Sequence, residues 1–390
     1  MKKEIELYIH IPFCVKKCAY CDFLSAAQDD ETIDKYVNAL VAEIGANGER
    51  TQVNSLSEDK EFLVTSVFLG GGTPSILYPE QIERIFKALR ENFEISKDAE
   101  ISMEANPGTV TREKLHVYKQ CGINRISFGL QSANNEELKL LGRIHTYEEF
   151  LESYRLAREC GFDNINVDLI SAIPKQTLQS FEETLQKIIA LNPEHISAYS
   201  LIVEEGTPFA EIYGEGCPKE KDLPSEEEER AIYQRTKELL EHAGYHRYEI
   251  SNYAKAGKEC KHNLGYWERK EYLGLGLGAA SLQDNIRYRN TDDLNIYLQH
   301  SQNLSKIREE EQILSLTEQM EEFLFLGLRK MEGVSEMEFR ELYGQEIDEQ
   351  YGTQITRFVG EGLLKRAKGR LKLTEAGIDV SNYVFAEFLE

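Results

Sequence analysis

Short apolar stretches of strand length alternate with amphipathic stretches of helix length over the first two-thirds of the chain. Apolar stretches of four to eight residues predict strands, and apolar positions three and four residues apart predict helices. The predicted strands are residues 5–11, 64–69, 100–103, 125–128, 164–169 and 195–201. The helices predicted between them include residues 32–45, 80–92, 147–160 and 177–191.

Six strand–helix units in succession predict parallel strands joined by right-handed crossovers. Strands separated by such helices favour an α/β fold, here a partial (β/α)6 barrel, in which chemistry collects at the carboxyl ends of the strands. Those ends carry a cysteine-rich loop, the glycines at 70–72, Glu104, Gln131 and Asp168. Each polar group alone is weak evidence, but the series predicts a functional site at this end of the barrel.

The alternation ends after the sixth unit. Ser225 and Glu228 have the spacing of a capping box and predict a helix that begins there. Residues 244–290 are rich in Gly, Tyr and Asn, which predicts irregular structure. From about residue 314 a helical pattern leads to a hairpin pattern around Gly369 and a final helix after Thr374, an arrangement that resembles a winged helix. We therefore expect the partial barrel at 1–225, a connecting segment at 226–310, and a C-terminal α+β winged-helix-like domain at 311–390.

Three cysteines lie in the loop after the first predicted strand. Cys14, Cys18 and Cys21 have the spacing Cys-x3-Cys-x2-Cys, so their thiolates can surround one metal centre. A structural zinc ion takes four protein ligands, whereas a [4Fe-4S] cluster on three thiolates leaves one iron open to a small molecule. Three unrelated buried thiols are the alternative. The odd total of seven cysteines, without an apolar leader, favours a reducing cytoplasmic setting over disulfides.

The formal charge of −23 disfavours a nucleic-acid-binding function. In the last predicted domain, nine basic residues stand against sixteen acidic ones, so we interpret it as a structural or protein-contact domain. No apolar stretch approaches the length of a membrane span. The acidic charge also disfavours stable docking on anionic lipid, although transient membrane contact stays open.

The residues around the cysteines, from Ile11 to Phe23, resemble the cluster loop of the radical S-adenosylmethionine (SAM) superfamily. The resemblance implies a [4Fe-4S] cluster on Cys14, Cys18 and Cys21, with SAM on the open iron. In that superfamily the cluster donates one electron, and SAM is cleaved to a 5′-deoxyadenosyl radical. The demanding chemistry would then belong to the cofactors, which the protein holds and insulates.

Four further segments resemble the branch of this superfamily that contains oxygen-independent coproporphyrinogen III oxidase: YIHIPFC (8–14), MEANP (103–107), ISFGLQS (126–132) and DLI (168–170). This resemblance implies SAM contacts from Tyr8, Tyr20, Gly71, Gly72, Thr73, Glu104, Gln131, Arg143 and Asp168. The glycines would contact the amino group of SAM, and Tyr20 would flank its adenine. The alternatives are a tight glycine turn and structural hydrogen bonds from the barrel carboxylates.

The chain departs from the oxidase pattern in three places. Phe23 stands where the oxidases have a fourth cysteine, and thirteen residues precede Cys14 where they have a longer segment. Asp22 and Phe23 resemble instead the haem-chaperone sister group of the oxidases. Residues 172–177 read AIPKQT where the pattern has GLPGQT, which leaves the geometry of that loop open.

A second segment, HNLGYW at 262–267, also resembles the haem chaperones and contains the only tryptophan. It implies haem contact by His262, with Cys260 as an alternative axial ligand. The residues alone favour a different interpretation, in which His262 anchors an irregular loop through hydrogen bonds.

These observations together predict a cytoplasmic haem chaperone that binds a [4Fe-4S] cluster, SAM and haem and passes haem to an unidentified acceptor protein. The alternative is an oxygen-independent coproporphyrinogen III oxidase, which would abstract hydrogen from a propionate side chain before decarboxylation. A radical SAM enzyme acting on an unrelated substrate is a third reading. The sequence leaves open whether the chain is an enzyme.

Overall fold

Parallel strands alternate with helices through the first half of the chain. The computed structural model describes residues 2–52 and 62–389. Residue 1 of the predicted barrel and residue 390 of the predicted C-terminal domain therefore lie outside the described residues. The elements are β1 Lys3–Ile11, α1 Asp30–Gln52, β2 Phe62–Gly71, α2 Pro79–Asn92, β3 Glu94–Ala105, α3 Arg112–Gln120, β4 Arg125–Gln131, α4 Asn135–Leu140, α5 Tyr147–Glu159, β5 Ile165–Ser171, α6 Leu178–Leu191 and β6 His195–Ser200.

Strands β1 to β6 are neighbours in chain order, and each adjacent pair is parallel. Residues that follow β1 and residues that follow β6 line one cavity. Because β1 and β6 are the two ends of this series of six strands, the sheet must curve to bring them together. The predicted α/β class with a six-stranded partial barrel is therefore confirmed.

Period-two alternation along β1 separates an apolar from a polar set of side chains. The apolar set, including Ile5, Leu7 and Ile9, is buried in the core that the outer helices share. From α2 this core receives Ile82, Ile85, Phe86 and Leu89, whose spacing is that of one helix face. The intervening residues of β1 are Glu6, Tyr8 and His10, which point into the curved sheet because neighbouring side chains alternate between faces.

Short strands extend both edges of the main sheet. The elements after β6 are α7 Pro208–Tyr213, α8 Glu226–His242, β7 His246–Arg247, β8 Asn252–Ala254, α9 Lys261–Trp267, β9 Tyr272–Leu275, β10 Ala280–Gln283, β11 Ile286–Asn290, α10 Leu294–His300, α11 Leu304–Ile307 and β12 Arg308–Ile313. The sheet order is β12-β11-β10-β9-β1-β2-β3-β4-β5-β6-β8-β7.

The prediction of irregular structure at 244–290 is wrong. Strand β8 pairs with β6, and β9 pairs with β1, so these strands form on edges that the barrel provides. At Gly274 in β9, a Cβ atom would lie 2.1 Å from the Ala280 carbonyl oxygen, so this glycine admits a close chain approach. Such glycines resemble loop signals in sequence, because strand propensity depends strongly on tertiary pairing.

The C-terminal part has its own sheet and its own core. Its elements are α12 Leu316–Gly327, β13 Val334–Ser335, α13 Glu336–Tyr343, α14 Ile347–Gly360, β14 Leu364–Ala367, β15 Arg370–Leu373, α15 Glu375–Asp379 and α16 Ser381–Ala386. The strands pair in the order β13-β15-β14, with helices packed around a separate apolar cluster. Lys368 and Gly369 both have positive φ, as a two-residue hairpin turn requires. The winged-helix-like arrangement is confirmed, and the three domain boundaries stay a prediction.

The long, charged helices of this chain differ from membrane-spanning helices. Within residues 2–52 and 62–389, none is both long enough and apolar enough to cross a bilayer.

Candidate functional site

The carboxyl ends of the six parallel strands surround a cavity of about 360 Å³. This volume lies in the range of about 300–1,000 Å³ that is usual for small-molecule sites. Most of the residues predicted to bind the cluster or SAM line it: Cys14, Cys18, Tyr20, Cys21, Gly71, Gly72, Thr73, Glu104, Gln131, Arg143 and Asp168. The structure therefore brings together side chains that five different strands and their loops contribute.

The cluster loop, residues 12–26, is fixed at its base and at its middle. The Cys14 amide donates to the Ala26 carbonyl at 3.1 Å, and the Ala26 amide donates to the Pro12 carbonyl at 3.0 Å. The Ala19 amide donates to the Leu141 carbonyl at 3.2 Å. These bonds hold the three cysteines over the ends of the strands.

The three thiols are partly exposed to the cavity, and two have polar neighbours. Thr73 Oγ1 donates to Cys14 Sγ at 3.4 Å, and Arg143 Nη1 lies 3.4 Å from Cys18 Sγ. Burial raises the pKa of the Cys21 thiol, so in the absence of a metal centre it resists ionisation. A hydroxyl and a guanidinium beside the sulfurs suit anionic thiolate ligands.

Three thiols on one cavity wall form a donor set that suits an iron–sulfur cluster with one open iron. Among the residues that the structure describes, no three His, Cys, Asp or Glu side chains converge closely enough to share one metal ion. A structural zinc site would also need a fourth ligand. A [4Fe-4S] cluster binds each thiolate on a different iron, so its ligands surround the cavity wall without converging on one point.

The glycines at the end of β2 allow two chain segments to touch. A Cβ atom at Gly72 would lie 2.6 Å from the Phe13 carbonyl oxygen, and the Gly72 amide donates to the Ile11 carbonyl at 2.8 Å. Gly71 has φ +109°, and a Cβ atom there would lie 2.5 Å from the His10 ring. The glycine run therefore locks the cluster loop against β2 and leaves bare backbone at the cavity wall.

Two carboxyl groups lie on the deep side of the cavity. Glu104 Oε2 accepts from the Gly71 amide at 3.1 Å, and burial, aided by nearby Asp168, raises the pKa of Glu104 to about 8. Asp168 accepts from Ser127 Oγ at 2.9 Å and from Asn166 Nδ2 at 2.7 Å. Burial also raises the pKa of Asp168. Both groups can accept hydrogen bonds from the amino or hydroxyl groups of a polar ligand.

Arg143 lines the cavity and connects several of its wall segments through hydrogen bonds. Its Nη2 donates to Asn106 Oδ1 at 2.7 Å and to the Gly129 carbonyl at 2.6 Å. Burial disfavours its charge, but Tyr20 and Cys18 outweigh that effect and raise its pKa. Arg143 is therefore a fixed cation beside the cysteines.

Gln131 ends β4 in a conformation that is unusual for its residue type. Its φ is +75°, and the register between β4 and β5 shifts between Gly129 and Gln131. A left-handed conformation costs a non-glycine residue about 1–2 kcal/mol. Such strain concentrates at functional positions, where it aims a side chain that regular geometry would point elsewhere.

The structure does not bring Tyr8 and His262 to this cavity. Tyr8 lies beneath the lining, with its hydroxyl 2.9 Å from His10 Nδ1. His262, on α9, is 1% exposed, and its ring stacks on Phe68 with centroids 5.2 Å apart. Tyr8 contacts both rings, with centroids 6.5 Å from the same imidazole and 6.4 Å from Phe68. The SAM contact of Tyr8 and the haem contact of His262 stay predictions that this placement does not favour.

His262 belongs to a buried polar group that we call the barrel floor, at the amino-terminal half of the strands. The floor consists of Glu6, Ser66, Glu100, Arg125, Cys260 and His262, all buried. His262 Nδ1 lies 2.8 Å from Ser66 Oγ, and Nε2 lies 3.1 Å from Tyr266 Oη. Cys260 Sγ, the alternative axial ligand, is fully buried 3.4 Å from Glu100 Oε1. As placed, neither residue offers a free atom to a haem iron.

The close contact between His262 and Glu6 is not an ion pair near neutral pH, although the atoms lie 3.5 Å apart. Burial and nearby Arg125 lower the pKa of His262 to about 3. Burial raises the pKa of Glu6 to about 8. Both groups are therefore largely neutral at pH 7, and the floor is a hydrogen-bonded core.

Sequence reasoning missed two residues that shape the site. His10 joins Tyr8 to the cluster loop, because its Nε2 lies 2.9 Å from the Leu24 carbonyl. Asn106 donates to Thr73 Oγ1 at 2.8 Å and so links that hydroxyl to Arg143. The signals were present, since His10 alternates with Tyr8 along β1 and Asn106 follows Glu104 at a strand end.

Two residues of the loop after β5 have the positive φ angles that glycine adopts most easily. Ala172 has φ +58° and Lys175 has φ +66°, the positions where the family pattern has glycine. A side chain at a position with positive φ adds local strain that glycine would not have.

Comparisons with known proteins agree with the fold. A family model described as the Radical SAM superfamily matches residues 8–188, and one described as the HemN C-terminal domain matches residues 314–380. The "Heme chaperone HemW" of Lactococcus lactis is 36% identical over 389 residues, which cover 100% of this chain and 98% of that protein. The chain belongs to the HemW family of radical SAM proteins.

One further HemW relative and one solved structure extend the comparison. The "Heme chaperone HemW" of Escherichia coli is 34% identical over 99% of this chain and 98% of its own length. Among solved structures, coproporphyrinogen III oxidase (HemN) from Escherichia coli, titled a radical SAM enzyme, superposes with a TM-score of 0.84. That match has 25% identity and covers 99% of this chain and 90% of HemN. Membership in the radical SAM superfamily implies a [4Fe-4S] cluster and SAM as cofactors.

Proposed function

We propose that this protein is a haem chaperone, which binds a [4Fe-4S] cluster, SAM and haem and delivers haem to an acceptor protein. The observation that carries the proposal is similarity over the whole chain, at 34–36% identity, to proteins named haem chaperones. Superfamily membership already implies the cluster and SAM, so the proposal adds haem binding and haem transfer. The acceptor is defined only as a protein with an empty haem site.

The cavity residues would hold the cluster and SAM. Cys14, Cys18 and Cys21 are the proposed iron ligands, since they line one cavity and have polar neighbours suited to thiolates. When bound, the cluster with SAM on its open iron would supply one-electron chemistry. The chain's own part is to fix the loop, exclude bulk water and present hydrogen-bond partners.

The proposed SAM contacts divide by chemistry. Glu104, Asp168 and Gln131 face the cavity with oxygen acceptors that suit amino and hydroxyl groups. Gly71 and Gly72 leave backbone at the wall, Thr73 lies beside Cys14, and Arg143 is a fixed cation suited to a carboxylate. Tyr20 lies in the cluster loop, and its ring faces Phe209 with centroids 6.3 Å apart, so its outer side can flank an aromatic ring.

The second candidate is an oxygen-independent coproporphyrinogen III oxidase, which the HemN superposition supports. Two observations favour the chaperone. Identity to HemN is 25%, against 36% to the chaperone of Lactococcus lactis. Phe23 also occupies a position in the cluster loop where the oxidase pattern has a cysteine.

Haem binding and transfer are tested with cluster-reconstituted protein under anaerobic conditions. We expect a haem titration followed by absorbance to saturate near one haem per chain. Mixing the haem-loaded protein with apomyoglobin, as a model acceptor, should then move the haem absorbance to the myoglobin spectrum. Absence of saturation would refute the chaperone proposal.

A parallel assay addresses the second candidate. Coproporphyrinogen III, SAM and a reductant are incubated with the same preparation, and decarboxylated porphyrinogen is measured. The chaperone proposal predicts no product above a control that lacks SAM. Stoichiometric turnover in this assay would support the oxidase instead.

A further inference from the structure

The mouth of the cavity differs in chemistry from its interior. Phe23 is 64% exposed and Ile202 is 68% exposed, yet both line the cavity. Tyr199 is also exposed there, and Leu201 is half-buried. Phe23 comes from the cluster loop and Ile202 from the segment after β6, so the mouth receives apolar side chains from both ends of the parallel series. We call Phe23, Tyr199, Leu201 and Ile202 the apolar rim.

Exposed apolar side chains at a cavity mouth are unfavourable unless something covers them. Burying one large apolar side chain is worth about 1.5–3 kcal/mol relative to leaving it in water. Contiguous apolar patches on a protein surface mark sites where a ligand or partner binds. These apolar side chains lie at the opening of the cavity and not in the hydrophobic core.

Two cations accompany the apolar rim. Lys16 and Lys17 are exposed and line the same cavity, in a chain whose formal charge is −23. Lys17 Nζ donates to the Phe23 carbonyl at 3.0 Å, an exposed bond that joins the cation to the apolar side of the mouth. The carboxyl groups that line the cavity, Glu104 and Asp168, lie at its buried end.

These observations indicate a ligand with an apolar body and an anionic edge. We propose that haem binds at the mouth, with its porphyrin face on the apolar rim and its propionates toward Lys16 and Lys17. This inference rests on the proposed chaperone function. It separates two positions in one cavity, a polar interior suited to SAM and an apolar mouth suited to haem.

Haem at the mouth would lie on the open side of the protein. The rim side chains reach solvent, so an acceptor protein could approach the exposed porphyrin edge without opening the barrel. The barrel floor offers no such route, because His262 and Cys260 are buried and bonded.

The test is an anaerobic haem titration of cluster-reconstituted wild-type protein and matched variants. For the double variant Phe23→Ser/Ile202→Ser we expect a roughly 10- to 100-fold loss of haem affinity, the order for two large apolar contacts. For Lys16→Gln/Lys17→Gln we expect a loss of about 3- to 10-fold that shrinks in high salt. Iron content and SAM binding, measured in parallel, should stay at wild-type levels in the Phe23/Ile202 variant.

Three controls make the outcomes distinct. Ile313→Ser removes a side chain that is 76% exposed on β12, and Lys87→Gln/Lys97→Gln removes two exposed cations elsewhere. His262→Gln removes the imidazole from the barrel floor but keeps a side chain that can hydrogen-bond. All three should bind haem as the wild type does.

Each result decides a different point. Wild-type saturation with unchanged affinity in both rim variants would overturn the mouth site and leave the chaperone proposal standing. A loss confined to His262→Gln would overturn it in favour of ligation from the floor. Failure of the wild type to bind haem would refute the chaperone proposal itself, and the mouth site with it.

Discussion

The curved sheet encloses two polar regions, the cavity at the carboxyl ends of the strands and the barrel floor at their amino-terminal half. Both arise from the same inward-facing register, in which Glu6 lies below Tyr8 and His10 on β1 and Glu100 lies below Glu104 on β3. In the cavity this register opens onto about 360 Å³ of space. At the floor, His262 and Tyr266 of α9 fill the space and bond to the polar groups.

The difference shows that inward polar residues in one barrel need not share a role. At the floor, polar atoms of the protein satisfy one another, so the group behaves as a core. In the cavity, Glu104, Gln131 and Asp168 face open volume, so part of their bonding capacity is left for a ligand. The two regions differ because a later segment, α9, fills the space at the barrel floor, whereas no described segment fills the cavity.

Removing a cysteine from each region should give the largest contrast. We expect Cys14→Ala to lose the reconstituted cluster, because two thiolates hold it far less well than three. Cys260→Ala should keep full iron content, since this thiol bonds within the floor. Iron and sulfide analysis with the absorbance spectrum measures both. Equal loss of iron in the two variants would contradict the assignment of Cys14 to the cluster site and of Cys260 to the barrel floor.

Truncating His262 should affect stability more than ligand binding. His262→Ala leaves a hole in the floor and removes partners from Ser66 and Tyr266, which we expect to cost about 2–4 kcal/mol in the free energy of unfolding. Urea unfolding of the cluster-free protein measures this. His116→Ala, at an exposed position on α3, is the control and should change stability little. Matching midpoints for the two variants would argue that the floor is loosely packed.

Glu104 should make stability depend on pH. Its folded-state pKa of about 8 lies above the ordinary 4.5, so the folded protein binds more protons than the unfolded chain between those values. The stabilisation is present at low pH and is lost as pH rises through about 8. Between pH 5 and 8, we expect wild-type cluster-free protein to lose about 3–4 kcal/mol more than Glu104→Gln does.

The measurement for Glu104 is a series of urea unfolding curves across that pH range. Glu83→Gln, at an exposed position on α2, should retain the wild-type pH slope. Parallel curves for wild type and Glu104→Gln would mean that the Glu104 carboxyl is hydrated enough to ionise normally.

The smallest expected effect concerns the strained residue at the cavity wall. Gln131→Gly relieves the positive φ and should raise the free energy of unfolding by about 0.5–1 kcal/mol, after the entropy that glycine adds to the unfolded chain. The same change removes a proposed SAM contact, so SAM affinity should fall roughly tenfold. Asn192→Gly, at φ +56° beyond α6, should leave SAM affinity unchanged. Equilibrium dialysis measures SAM affinity in both variants. Equal SAM affinity in Gln131→Gly and Asn192→Gly would contradict a role for Gln131 in SAM binding.

Local patterns determined much of the fold. Continuous apolar stretches placed β1 to β6 to within a few residues, although β3 extends farther in both directions, over Glu94–Ala105. The helix predicted to begin after Ser225 has the expected capping box with Glu228. The hairpin around Gly369 formed as predicted, because its turn chemistry is contained in a few neighbouring residues.

The sequence by itself therefore determined the α/β class, the order of the parallel strands and the loop that carries Cys14, Cys18 and Cys21. Spacing along the chain and side-chain alternation fix these features, since they act over a few residues. Only the tertiary structure decided that residues 252–290 contribute strands to the sheet edges and that His262 lies in the barrel floor. Those outcomes depend on contacts between segments more than a hundred residues apart, such as His262 with Ser66, and no local pattern records which space another segment will fill.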